Sequence, residues 1–148
     1  MLQIGKAAKR KAMILKYSKY ISINKNDPIN LFGIECDYGW DKIIKKLLDK
    51  IARLYKPNKI YVSQIKEKYG LLRICVEYNP IYEQDILREK KLNSYINLME
   101  AKSGMTCEIC GKEGRIRVDL GWTSTLCTSH YKKQKREHKN FLRKKEMK

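Results

Sequence analysis

Three cysteines and one histidine fall in two close pairs, and no other feature constrains the fold of this 148-residue chain as strongly. The pattern is Cys107-x2-Cys110-x16-Cys127-x2-His130. A gap of two residues lets both side chains of a pair reach one ion, and Gly111 permits a tight turn after the first pair. Four nitrogen and sulfur ligands in tetrahedral geometry favour Zn(II). The spacing therefore predicts a zinc site, with His138 as an alternative to His130 for the fourth ligand.

The cysteine count supports metal binding over disulfide formation. The chain has five cysteines, an odd number, and three of them have metal-type spacing. In a reducing compartment such spacing favours a metal site. Cys36 and Cys75 are isolated, and Cys75 lies on a predicted strand, where a packed thiol is the expected state. The alternative, a group of buried cysteines without metal, is the less favoured interpretation.

Four protein ligands indicate a structural zinc rather than a catalytic one. Catalytic zinc usually has three protein ligands and keeps one position open for water. The His-x-Glu motif of zinc deaminases does not occur in the sequence. A metal-dependent nuclease is a less favoured alternative, in which Asp119 and His138 would be the available acid and base. We assign no catalytic residue and expect the zinc to stabilise a module too small to bury a core.

The residues between and after the two pairs predict a hairpin and a helix. Residues 115–126 can form two strands around a turn at 119–121, after which Cys127 would begin a helix. A knuckle, a hairpin and two ligands at a helix N-terminus resemble the layout of treble-clef zinc modules. The resemblance implies such a module over residues 105–131, followed by a basic C-terminal helix or tail over residues 132–148.

The preceding residues predict a body of helix, β-hairpin and helix. Residues 40–56 have apolar side chains at the i, i+3, i+4 spacing of an amphipathic helix, and residues 59–78 change to period-two alternation. A second helix is predicted from about Pro80 to about Lys102, since proline is tolerated in a first helical turn. We therefore predict an α+β fold, with this body over residues 27–104, a treble-clef-like zinc module and basic helical ends.

The formal net charge of +17 is concentrated at the two ends of the chain. Residues 1–26, a basic N-terminal arm, contain seven Lys or Arg and no acid, and residues 131–148 contain nine basic and two acidic residues. About +14 of the net charge therefore lies in these two segments. Basic segments of this density favour a polyanionic partner, since binding releases counterions from nucleic acid. We predict DNA or RNA as the partner, and no membrane partner.

The candidate phosphate-contacting residues lie in both basic ends and on the predicted zinc hairpin. In the N-terminal arm they are Lys6, Lys9, Arg10, Lys11, Lys16 and Lys19. On the hairpin they are Arg115 and Arg117. In the C-terminal helix they are Lys132, Lys133, Lys135, Arg136, Lys139, Arg143, Lys144 and Lys145. Phosphate contacts provide affinity and position rather than sequence preference.

A wider resemblance involves Gly39-Trp40 with its following helix, the hairpin VSQIKEKYGLLRICVEY, and the segment TCEICGKEGRIR…GWTSTLCTSH. In this order, the features resemble a set of small phage and prophage proteins without an assigned activity, over residues 35–130. The resemblance implies a phage accessory protein and supplies no catalytic residue. The basic ends lie outside it.

These observations together predict a zinc-stabilised, strongly basic nucleic-acid-binding protein. An alternative of another class is a phage inhibitor of host defence, which binds a host protein or a CRISPR-type ribonucleoprotein and uses its basic arms on bound RNA or an acidic surface. No apolar run approaches the ~20 residues of a membrane span, and the N-terminal segment lacks the apolar stretch of a signal peptide. We therefore expect an intracellular protein of the host cytoplasm.

Overall fold

Residues 2–147, which the computed structural model describes, form a mixed α/β fold with five α-helices and five β-strands. The helices are α1 (Leu2–Lys16), α2 (Pro28–Phe32), α3 (Asp41–Leu54), α4 (Ile86–Ser103) and α5 (Thr128–Glu146). The strands are β1 (Ile34–Glu35), β2 (Ile60–Lys68), β3 (Leu71–Tyr78), β4 (Arg115–Arg117) and β5 (Ser124–Leu126). Within these residues, no helix combines the length and the apolar character needed to cross a membrane.

The sequence pattern of α3 explains both its helical form and its burial. Its apolar residues recur at helical spacing, and each is at most 4% exposed: Ile43, Ile44, Leu47, Leu48 and Ile51. The lysines between them lie on the solvent side of the helix or at its edge. Burial of each such side chain contributes about 1.5–3 kcal/mol. The buried face of α3 is therefore the centre of the main core, which also includes residues of β2, β3 and α4.

A three-stranded sheet in the order β1-β2-β3 covers this core. β2 and β3 are antiparallel, and Tyr69 and Gly70 connect them with φ angles of 52° and 78°, the left-handed form that two-residue hairpin turns use. β1 adds to β2 in parallel. An irregularity in the pairing between Val62 and Gln64 shifts the alternation of buried and exposed side chains along β2. After Val62, a strict period of two would bury Gln64, but the next apolar side chain that is fully buried is that of Ile65.

The second body helix, α4, begins at Ile86 and not near Pro80, so the start predicted from the sequence was wrong. Asp85 is the N-cap, and its carboxylate accepts a hydrogen bond of 3.0 Å from the backbone N–H of Arg88. The Asn79 side chain accepts a hydrogen bond from the backbone N–H of Ile81 and holds the segment before α4 in a turn. A capping carboxylate satisfies an N–H group that the first helical turn leaves free, and Asp85 provides it where the helix begins.

Arg10 holds α1 against the turn that precedes α3. Its guanidinium pairs with Asp41 at 2.6 Å and donates to the carbonyl oxygens of Cys36 at 2.7 Å and Asp37 at 2.9 Å. The same group stacks on the Tyr38 ring, 4.3 Å from its centroid. The Arg10 side chain is only 14% exposed. Because these contacts occupy the guanidinium inside the fold, we remove Arg10 from the set of candidate phosphate contacts.

The turn at Gly39-Trp40 joins the body to the cysteine-containing segment through close backbone contacts. The Gly39 N–H donates to the carbonyl oxygen of Glu108 at 2.6 Å, and a Cβ on Gly39 would overlap the carbonyl oxygens of Cys107 and Glu108. The Trp40 side chain is fully buried, and its indole N–H donates to the carbonyl oxygen of Thr106 at 2.8 Å. We call these contacts the Gly39 joint, and only glycine fits at its centre.

A second contact joins the β2–β3 turn to β5. The Thr125 hydroxyl donates to the carbonyl oxygen of Gly70 at 2.5 Å, and the Thr125 side chain is fully buried. At the end of α4, the buried Ser103 hydroxyl accepts the backbone N–H of Leu72 at 2.8 Å. The bond between Thr125 and Gly70 crosses the boundary predicted at residue 104, so the two sides of that boundary share a buried hydrogen bond.

Substitution of Gly39 by alanine tests the Gly39 joint. The added methyl group would meet backbone oxygens, which cannot move aside as a flexible side chain would, so we expect Gly39→Ala to cost about 1–3 kcal/mol of unfolding free energy. Urea denaturation followed by circular dichroism measures this. The matched control is Gly5→Ala in α1, where nothing lies within 4 Å of an added Cβ and a gain of up to about 1 kcal/mol is expected. Equal stability of the two variants would contradict the claim that only glycine fits at position 39.

Candidate functional site

Cys107, Cys110, Cys127 and His130 converge near the C-terminus of the chain. Their ligand atoms all lie within 4.8 Å of one another. The first two residues lie in the turn before β4, and the last two lie at the start of α5. The antiparallel β4–β5 hairpin brings these two pairs together. The four residues predicted as ligands from their spacing therefore form one cluster, which we call the Cys3His cluster.

Three of the distances between the ligand atoms are close to those around one tetrahedrally bound ion. The Sγ atoms of Cys110 and Cys127 are 3.9 Å apart, and Nδ1 of His130 is 3.2 Å from Cys127 Sγ. The same Nδ1 is 3.6 Å from the Sγ of Cys107. Zinc bonds of about 2.3 Å to sulfur and about 2.0 Å to nitrogen require sulfur–sulfur distances of about 3.8 Å and sulfur–nitrogen distances of about 3.5 Å. The cluster is therefore consistent with a metal site.

The backbone around the first ligand pair forms a tight turn that orients both sulfurs. The Gly111 N–H donates to the carbonyl oxygen of Cys107 at 2.8 Å, and the Cys107 N–H donates to that of Lys112 at 2.7 Å. Gly111 has a φ of 77°, the left-handed conformation that favours glycine. The Glu108 N–H donates to the carbonyl oxygen of Thr125 at 2.9 Å. This last bond fixes the turn to β5, next to the second ligand pair.

The environment shifts the pKa values of two of the thiols in opposite directions. Burial raises the pKa of the Cys107 thiol. Burial also opposes ionisation of Cys127, but hydrogen bonds from the backbone and ring of His130 outweigh it and lower the pKa of Cys127 to about 6. Cys127 is the N-cap of α5, where the free N–H groups favour a negative charge. Because a metal binds the thiolate, Cys127 is suited to coordinate at neutral pH.

His138, the alternative fourth ligand, packs against the β4–β5 turn instead. Its ring meets the Trp122 ring edge-on, with centroids 5.7 Å apart. It also covers Gly121, where an added Cβ would lie 3.1 Å from the imidazole. The ligand atoms that converge include His130 and not His138. The choice that the sequence left open between the two histidines therefore falls on His130.

Few apolar residues stabilise the segment around the Cys3His cluster. Its buried apolar side chains are those of Cys107, Leu120 and Leu126. So small an apolar core contributes little to stability, and the contacts with the body and the interactions at the Cys3His cluster have to supply much of the stabilisation of this segment.

Four exposed basic residues form one stripe along α5. They are Lys132, Arg136, Lys139 and Arg143. Separations of four, three and four residues place their side chains on the same face of a helix. Among the residues that the structure describes, none of the four forms an ion pair. We call this face the α5 stripe; outside it on the same helix lie the exposed Lys133, Lys144 and Lys145.

Lys135 and Arg117 have intramolecular partners that fix α5 to the β4–β5 hairpin. Lys135 pairs with Asp119 at 2.8 Å, and the Tyr131 hydroxyl donates to the same carboxylate at 2.6 Å. The hydrogen bonds from Lys135 and Tyr131 lower the pKa of Asp119 to about 2. Arg117 is half-buried and stacks on the Tyr131 ring, 4.2 Å from its centroid. On the hairpin, Arg115 keeps an exposed side chain.

The N-terminal basic residues lie on a helix that packs on the body. Its exposed lysines, and one in the turn that follows, are Lys6, Lys9, Lys11, Lys16 and Lys19. Tyr17, directly after α1, is only 4% exposed, and its hydroxyl donates to Asp49 of α3. The N-terminal segment therefore presents its lysines from a fixed position.

The sequence-based interpretation did not identify the structural roles of two residues, Arg10 and Tyr131, that organise these surfaces. Arg10 connects α1 to the Gly39 joint, and Tyr131 connects Arg117, Asp119 and Lys135. The partner of Arg10 lies 31 residues away in sequence, so no local spacing marks the pair. For Tyr131, the spacing of four residues to Lys135 on one helix was an available signal.

Comparison of the chain with protein-family models, with curated proteins and with solved structures gives no match. The function is therefore inferred from the geometry and chemistry of the described residues. The two features that carry this inference are the Cys3His cluster and the basic surfaces positioned around it.

Removal of one thiol ligand tests the metal site. We expect the purified protein to hold one divalent ion per chain, and Cys110→Ser to lose most of it, because a hydroxyl is a poor ligand for a metal that prefers sulfur. Metal analysis by mass spectrometry measures the content, and thermal unfolding should show a large drop in stability. The matched control is Cys75→Ser on β3. Its thiol lies outside the cluster and is exposed, not packed as the sequence predicted. Full metal content in Cys110→Ser would refute the ligand set.

Proposed function

We propose that the protein is a zinc-stabilised nucleic-acid-binding protein that contacts DNA or RNA through its phosphates. The observation that carries the proposal is the position of the α5 stripe, which begins at Lys132, two residues after His130. The cluster thus fixes the start of a helix whose exposed face is basic. Exposed cations on one rigid face are suited to bind a polyanion, since each phosphate contact releases a counterion.

Zinc is the metal that the donor set favours. Three sulfurs and one imidazole nitrogen in tetrahedral arrangement are typical of structural zinc sites. The ion would cross-link the turn before β4 to the first turn of α5. We further propose that this knuckle, the β4–β5 hairpin and α5 form a treble-clef-like module, attached to a body built from α3, the β2–β3 hairpin and α4.

The length of the α5 stripe indicates how much nucleic acid it would contact. From Lys132 to Arg143, a helix rises about 17 Å. This is the rise of about five base pairs along a duplex, at 3.4 Å for each pair. The exposed Arg115 on the hairpin and the lysines of α1 would add contacts outside the stripe. Such an interface provides affinity for the phosphate backbone and little sequence preference.

We assign the cluster a structural role and not the catalytic role that it would have in a nuclease. All four side chains of the cluster converge as ligands, so His130 is not free to act as a base. Asp119 accepts hydrogen bonds from Lys135 and Tyr131, and His138 packs against Trp122. The acid and the base that a nuclease would need on this module are therefore engaged in holding α5 to the hairpin.

A second candidate function is binding of a host protein. Three apolar side chains around the start of α4 are exposed: Ile81 by 85%, Ile86 by 61% and Leu87 by 80%. Exposed apolar residues close together favour a protein contact. With the resemblance over residues 35–130, this supports a phage accessory protein that inhibits a host defence protein or ribonucleoprotein. A partner from host lysate that stays bound after nuclease treatment and high salt would favour this function over nucleic-acid binding.

Salt dependence of binding tests the phosphate contacts. For the wild type we expect the logarithm of the affinity for DNA or RNA to fall with the logarithm of salt concentration with a slope of several units. Replacement of Lys132, Arg136 and Lys139 by glutamine should reduce this slope by about 2–3 units, because each residue contacts about one phosphate. Fluorescence anisotropy over a range of salt concentrations measures the slope.

The matched control replaces the same number of exposed lysines elsewhere. Lys56, Lys90 and Lys91 lie outside α5, are exposed, and form no ion pair among the described residues. Their replacement by glutamine removes the same charge, so a similar loss of slope in both triple variants would show that net charge, and not the α5 stripe, drives binding. Absence of binding at low salt would reject nucleic-acid binding altogether.

A further inference from the structure

A groove of about 490 Å³ lies between α1 and α3, beside the first ligand pair. Its apolar lining comes from three separate parts of the chain: Ala12 and Met13 of α1, Tyr38 in the turn before α3, and Ile109 between the two cysteines of the first pair. Its volume lies within the range of about 300–1,000 Å³ that is usual for ligand pockets. The groove is therefore large enough for a flat organic group.

Lysines line both sides of this groove. Lys6, Lys9 and Lys16 extend from α1, and Lys42 and Lys45 extend from α3. The acids nearby are already engaged, since Asp41 pairs with Arg10, and Asp49 pairs with Lys45. Among the residues that the structure describes, Lys6, Lys9 and Lys42 form no ion pair. The site thus combines an apolar lining with lysines from both helices, and among the described residues on the α3 side Lys42 is the lysine without an ion pair.

We propose that the groove binds an unpaired base of a single-stranded nucleic acid, with the neighbouring phosphates on the lysines of the two sides. This inference rests on the proposed nucleic-acid binding and adds a second site to the α5 stripe. A base is flat and apolar on both faces, and a phosphate follows it on each side along the strand. The order of charge, apolar surface and charge across the groove matches that order along the ligand.

Tyr38 makes the groove suited to stacking. Its ring lines the groove and is held in place by Arg10, whose guanidinium lies 4.3 Å from the ring centroid. Arg10 is itself fixed by Asp41 and by two backbone carbonyl oxygens, so the aromatic wall is positioned before a ligand binds. Stacking on aromatic side chains is the main sequence-tolerant contact of single-strand binders.

The site selects single strands because a base inside a duplex is already stacked and paired on both sides. Duplex DNA or RNA would therefore reach the α5 stripe but not the floor of the groove. A lipid is the less suitable occupant, since its charged head lies at one end of an apolar chain, and the lysines here lie on both sides of the floor. The groove thus gives the protein a preference for unpaired strands that phosphate contacts alone do not provide.

Three nucleic-acid probes of equal length test this inference: a single strand, its duplex, and a strand in which the central bases are replaced by abasic sites. Fluorescence anisotropy at low salt gives the affinities. We expect the wild type to bind the single strand about tenfold more tightly than the abasic strand, which has the same number of phosphates. Because this comparison uses the unaltered protein, it does not depend on the folding of any variant.

Ala12→Trp fills the groove and is the corresponding protein variant. Ala12 is exposed on α1, so the new side chain enters the groove and not the core. We expect about a tenfold loss of affinity for the single strand and no change for the duplex or the abasic strand. The matched control is Ala7→Trp, on an exposed position of α1 that does not line the groove, and it should bind all probes as the wild type does.

The outcomes separate this inference from the proposed function. Equal affinity of the wild type for the intact and abasic strands, or full single-strand binding by Ala12→Trp, overturns the groove as a base site while duplex binding through α5 stands. No binding of any probe at low salt overturns both. If Ala12→Trp instead loses binding to phosphatidylglycerol vesicles but not to the single strand, the occupant is a lipid and the inference is wrong.

Discussion

The approach of the Gly39 backbone to the carbonyl oxygens of Cys107 and Glu108 determines how the parts of the fold are arranged. At this point two turns meet with no side chain between them. The indole of Trp40 is buried in the main core on one side of the contact and donates to the Thr106 carbonyl on the other. The position of the Cys3His cluster, the wall of the α1–α3 groove and the starting point of α5 all follow from this joint.

Local patterns in the sequence were sufficient for the features that depend on neighbouring residues. The four cluster residues were found from the two-residue gaps and a glycine, because ligand pairs in a turn need that spacing. The buried face of α3 was found because helical periodicity repeats over four turns. Features that depend on a single residue were not predicted. The irregularity after Val62 shifts the burial of the strand residues that follow it, and the Asp85 cap leaves residues 80–85 outside the helix.

The function of individual charges could not be predicted from the sequence, because their partners are distant in the chain. In the sequence, Arg10, Lys135 and Arg117 cannot be told apart from the other basic residues. In the structure, each has a partner in another element, and these contacts hold the fold together. The net charge of +17 therefore overstates the surface that is available to a polyanion. The structure separates the basic residues that hold elements together from those that stay exposed, which include the α5 stripe and lysines around the groove.

The way in which α5 is attached has a mechanical consequence. The helix is about 28 Å long, and its contacts with the hairpin through Tyr131, Lys135 and His138 all lie in its first three turns. No residue of α5 is buried, and residues 139–146 extend beyond the last of these contacts without support from the hairpin. The segment beyond His138 is about 12 Å long, and a tilt of about 10° where the contacts end moves its tip by about 2 Å, which is enough to break a hydrogen bond. The rigidity of the contacts between α5 and the hairpin therefore determines how precisely the basic side chains at the end of α5 are positioned.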